Sequence, residues 1–119
     1  MEKLAPGTAN YLVSEANGTR SREVVTVAKG HQLQAGTVLA VIEASGHFVP
    51  VDPAATDGSQ TAVAVLFAEV DTADAERAAV TTARDAEVAT HALVWLAGMT
   101  EPQKTTALAQ LAARGIVAR

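Results

Sequence analysis

Cysteine is absent from the 119 residues. That excludes disulfides, iron–sulfur ligation and a thiol nucleophile, and it leaves the redox compartment open. Aromatics are nearly as scarce, with Tyr11, Phe48, Phe67 and Trp95 making up the whole set. Much of the 49% hydrophobic content is alanine and valine, so each buried side chain removes less apolar area from water than usual. A core this thin makes self-association a route to burying more surface. Charge is sparse too: 9 Lys and Arg against 13 Asp and Glu give a net charge of -4. The densest basic run is Arg20-Ser21-Arg22, too little for a phosphate-facing surface, so direct nucleic-acid binding is not expected.

No apolar run approaches the roughly 20 residues needed to cross a bilayer. The start, "MEKLAPGTANYL", has no hydrophobic stretch of the signal-peptide kind. The expectation is a soluble protein made in a cytoplasm, without a membrane partner. Glycine-rich phosphate loops are missing as well. "GHQLQAG" has neither the lysine nor the helix that a P-loop needs, and no G-x-S-x-G elbow occurs.

What remains is the composition of a folded domain, with 18% charged residues. At this length one core is the natural outcome. Residues 1–22 mix Pro6, Gly7, Asn10, Asn17 and Gly18 around one short apolar cluster, Tyr11-Leu12-Val13, and read as an N-terminal arm rather than a core element, with a frayed terminus as the alternative. Residues 23–119 read as a β-rich domain. "EVVTVA" (23–28) is β-branched, and "GTVLAVIEA" (36–44) runs between glycines into "ASGH", where Gly46 suits a hairpin turn. "HFVPV" is the return strand, with Pro50 at an edge or strand end. "TAVAVLFAEV" (61–70) predicts one continuous, two-sided central strand. Residues 78–84 and 87–95 are read as two more strands around a turn at Asp85-Ala86. "TEPQKTTALAQLAARG" predicts a helix: Thr100 as N-cap, Gln103 as its capping-box partner, Pro102 in the first turn, Leu108, Leu111 and Ala112 on one face, and Gly115 at the stop. Ile116 to Ala118 closes the chain as a short strand. The sum is six or seven strands and one helix, without βαβ alternation or internal repeat.

The acidic corner "DPAATDGS" (52–59) sets a functional reading against a structural one. Asp52 and Asp57 are a carboxylate pair of the kind used in acid–base or metal chemistry. They also precede Pro53 and Gly58-Ser59, a turn sequence in which Asp side chains accept from nearby backbone N–H groups. The structural reading is preferred, and the spacing fails the calcium-loop pattern. His31, His47 and His91 form no HxH or HExxH pair, so no metal site is expected. No catalytic residue, cofactor or metal is therefore assigned. Trp95, alone in "LVWLAGM", is a core anchor or an interface residue.

The order of features carries a resemblance. "AGTVL" (35–39), "VPVDPAATDGSQTAVAVL" (49–66), "RDAEV" (84–88) and "GIVAR" (115–119) follow one another at a spacing similar to that of the head decoration proteins of tailed bacteriophages, the lambda protein D family. The resemblance runs from about Tyr11 to Arg119. It implies a mainly β, β-clip-like small domain with one or two short helices and a flexible N-terminal arm. It also implies a non-enzymatic virion protein without cofactors, homotrimeric, seated at local threefold positions on the outer surface of the expanded head. There it would cement the major capsid protein against packaged-DNA pressure, after assembly in the host cytoplasm. Shell contact falls on the arm at Ala9, Asn10, Tyr11, Leu12, Val13 and Ser14, which would add a strand to a capsid sheet. Trp95 is the candidate for a trimer or shell interface, although Leu96 follows it where the relatives have proline. The rival reading is a small β-clip module binding a ligand or carbohydrate. A lipoyl-type carrier is disfavoured, since the hairpin tip is Ser45-Gly46 and carries no lysine.

Overall fold

A computed structural model describes residues 12–15, 22–84, 86–96 and 98–118. Ten short strands and one α-helix make up its regular structure: β1 (Leu12–Glu15), β2 (Arg22–Val27), β3 (Gln32–Leu33), β4 (Val38–Val41), β5 (Phe48–Pro50), β6 (Ala64–Leu66), β7 (Val70–Asp71), β8 (Arg77–Thr82), β9 (Ala86–Val88), α1 (Glu101–Ala112) and β10 (Ile116–Ala118). The mainly β expectation holds. The strands sort into a closed barrel, β2-β5-β4-β6-β8, a three-stranded sheet, β1-β9-β10, and the pair β3-β7.

Side-chain alternation explains why β4 and β6 read as unbroken apolar runs. In register Val38 faces Val65 and Leu39 faces Ala64. Leu39, Ala64 and Leu66 are buried on one face, inside the barrel. Val38, Ala40 and Val65 point outward into a second apolar layer with Val51, Phe67, Val88, Leu93, Ala107, Leu111 and Ile116. Both faces are covered, so neither carries polar residues. The barrel wall is thus sandwiched between its own filling and a core closed by α1, β9 and β10.

The hairpin from β4 to β5 forms as expected. Val41 pairs with Phe48, and Gly46, at φ 73°, donates to the Ile42 carbonyl at 2.7 Å. The helix also starts as read: the Thr100 hydroxyl accepts from Gln103 N–H while the Gln103 side chain accepts from Thr100 N–H. Its buried residues are Ala107 and Leu111, with Leu108 partly packed; Ala112, expected on that face, is exposed. Gly115 turns the chain at φ 84° into β10.

Two expected strands are broken. The run 61–70 is divided because β6 pairs with β4 and β8, after which Phe67 N–H bonds to Val80 and the chain leaves to pair β7 with β3. Residues 87–95 become β9, a 3₁₀ turn over Thr90–Ala92, and a single bridge from Val94 to Thr37. The turn lets Leu93 reach the core, which a straight strand through alanine and threonine would not. Ala86, expected in a turn, lies in β9.

Candidate functional site

The corner 52–59 is built as a double turn. Asp52 Oδ1 accepts from Ala54 N–H at 3.0 Å, and Asp57 Oδ1 accepts from both the amide and the hydroxyl of Ser59. A backbone bond from Asp52 N–H to the Ser59 carbonyl at 2.8 Å closes the corner on itself, and one from Glu43 N–H to the Asp57 carbonyl at 2.9 Å ties it to the body. Hydrogen bonds from the Ser59 hydroxyl, and then from its amide, hold the Asp57 carboxyl below the ordinary aspartate range. Both carboxylates are spent on shaping backbone, as their turn neighbours suggested.

The histidines do not converge on a metal-holding group. Among the described residues no three of His, Cys, Asp and Glu are so arranged. His47 instead meets Glu76 at 2.8 Å beside the hairpin, and the backbone of His31 is pinned by Thr72.

Trp95 packs partly buried against the core. With Leu33, Thr37, Pro50, Val94 and Leu96 it lines a shallow groove of about 210 Å³. The Thr37–Val94 bridge places the tryptophan there, and β3 supplies a wall. Leu96, at 38% exposure, is one of three large hydrophobic residues left open to solvent among the described residues.

Of the arm residues, Ala9, Asn10 and Tyr11 lie outside the described residues. Leu12, Val13 and Ser14 belong to β1, which runs antiparallel to β9 with Leu12 opposite Val88, Ser14 opposite Glu87 and Glu15 opposite Ala86. The register slips between Leu12 and Ser14, leaving Val13 as the extra residue of a bulge. Among the described residues β1 has no strand on its other side. Within the described residues it is therefore an edge strand.

The sequence model of the family described as bacteriophage lambda head decoration protein D matches residues 3–116. The chain belongs to that family. The match spans β1, the barrel, α1 and the first residue of β10 together. The family is a structural one, and membership places the chain's role at the phage capsid. Among curated proteins none matches the chain. No helix among the described residues is long and apolar enough to cross a membrane.

A feature with no sequence signal is the ion pair of Arg84 with Glu23, 2.7 Å apart and separated by 61 residues. Neither residue is marked locally; the β2–β8 ladder brings them to one end of the barrel.

Proposed function

We propose that the protein binds the outer surface of the expanded phage head as homotrimers at local threefold positions and clamps neighbouring major capsid subunits against the pressure of packaged DNA. It is made in the host cytoplasm and resides in the virion. The observation that carries this reading is the family match over residues 3–116. The net charge of -4 suits a partner made of protein and not nucleic acid.

The arm, 1–22, is the shell-binding element and 23–119 the decoration domain. Support for the arm's part comes from β1, an edge strand among the described residues and so the kind of edge on which main-chain hydrogen bonds supply affinity. Residues Ala9 to Ser14 extend that edge onto a capsid strand. Trp95 and Leu96, half-open beside their groove, are the apolar contact for a neighbouring trimer subunit or the shell.

Co-sedimentation with expanded, undecorated shells of the companion capsid protein tests the reading. Full-length protein is expected to pellet near one copy per capsid subunit, and a variant lacking residues 1–14 to stay in solution. Because that deletion also strips part of β1 from β9, its thermal melt is compared first. A folded truncation that pellets like the full chain removes the arm's role, and full-length protein that never pellets removes the decoration role.

A further inference from the structure

The barrel wall has a gap. β2 pairs with β8 along all its residues, Arg22 to Val27, yet on its other side it meets β5 at the single pair Val27–Phe48. Ala28 N–H reaches the Phe48 carbonyl at 3.0 Å. Backbone groups alternate sides along a strand, so those of Val24, four residues earlier, point to the same flank, where no described strand receives them. Among the described residues Val24 is also the most exposed large hydrophobic one, at 68%.

The gap opens into a cleft of about 320 Å³ lined by Val25, Phe48, Val63, Ala64 and Thr81, with Glu23, Arg84 and Arg114 at the rim. Arg84 is paired with Glu23. Arg114, exposed after the end of α1, has no ion pair among the described residues. On a protein of net charge -4 this rim therefore carries an uncompensated cation beside an apolar floor and an open strand edge.

We infer that this slot between β2 and β5 receives an extended segment of the shell protein that joins β2 as a strand, with an apolar side chain on Val25 and Phe48 and an acidic one at Arg114. Charge complementarity selects the acidic residue, and strand addition satisfies the idle backbone of Val24. The inference rests on the decoration reading but is independent of the arm: it is a second contact, on the barrel itself.

Two variants test it by shell co-sedimentation at several salt concentrations. Val24→Pro removes a donor that faces the gap and spares the β8 ladder. Arg114→Glu reverses the rim charge. Each is expected to weaken shell binding by about tenfold, and Arg114→Glu to flatten the salt dependence, with self-association unchanged. If Val24→Pro fails to fold, Arg114→Glu decides alone. Wild-type binding that both variants retain overturns the slot while leaving the decoration reading intact. Loss of self-association instead assigns the slot to a second copy and likewise overturns it. Wild-type protein that does not bind shells defeats both readings.

Discussion

Thr72 is fully buried between the barrel and the β3-β7 pair. Its hydroxyl donates to the Ala28 carbonyl at 2.6 Å and accepts from His31 N–H at 3.0 Å. Backbone bonds run alongside, from Thr72 N–H to His31 and from Gly30 N–H to Thr72, each 2.7 Å. Thr72→Val keeps the shape and removes the hydroxyl. Ala28 and His31 are partly buried, so each orphaned group costs near the low end of the usual range, about 1 to 1.5 kcal/mol. The added methyl returns a fraction of that, for a net loss of about 2 kcal/mol. A chain of this size holds roughly 6 to 18 kcal/mol in all, and the loss converts to a melting point lower by roughly 6–12 °C. Thr72→Ser keeps both hydrogen bonds and gives up one methyl, about 1 kcal/mol. Thermal unfolding followed by circular dichroism, with urea midpoints at unchanged slope, reads both. A Thr72→Val protein that melts with the wild type, or above Thr72→Ser, would refute the idea that the hydroxyl pins this pair to the barrel.

Two further outcomes follow from the 52–59 corner. Gly58 sits at φ +103°, and a Cβ there would fall 2.6 Å from Glu43 Cγ and 2.7 Å from the Val41 carbonyl oxygen; the carbonyl cannot move without breaking the hairpin, so Gly58→Ala is expected to cost about 3 kcal/mol, seen as a lower urea midpoint. Asp57, whose folded pKa lies below its unfolded value, contributes stability that is full above the unfolded value and is lost as pH falls through the folded one. The stability gap between wild type and Asp57→Asn should hold steady down to about pH 5 and close below about pH 4; a gap that widens in acid contradicts the hydrogen bonds from Ser59.

Local signals were the legible ones. Thr100 with Gln103, Gly46 in the hairpin, and the β-branched run at 23–27 each specify geometry within a few residues, and each forms. The break after Leu66 was not legible, because it depends on Val80 capturing Phe67 N–H and on β3 capturing β7. Likewise β9 exists because β1 and β10, from the two ends of the chain, both pair with it. In an alanine- and threonine-rich stretch, propensity alone does not favour a three-residue strand followed by a 3₁₀ turn. Of the site, the structural role of Asp52 and Asp57 was readable from turn chemistry. The groove of Trp95 and the rim of Arg84 and Arg114 were not, since each is assembled by strands far apart in sequence.

The small sheet built on β9 also defines a load path. A pull on Leu12–Glu15 is taken up by the bonds to β9, and β9 is braced from behind by β10 in parallel register, Ile116 to Ala86 through Ala118 to Val88. Ile116 is fully buried and β10 directly follows α1, whose Leu111 is anchored in the same core. Tension on the front of the chain is therefore grounded in its tail, and the grip on residues 12–15 is set by how firmly residues 116–118 are seated.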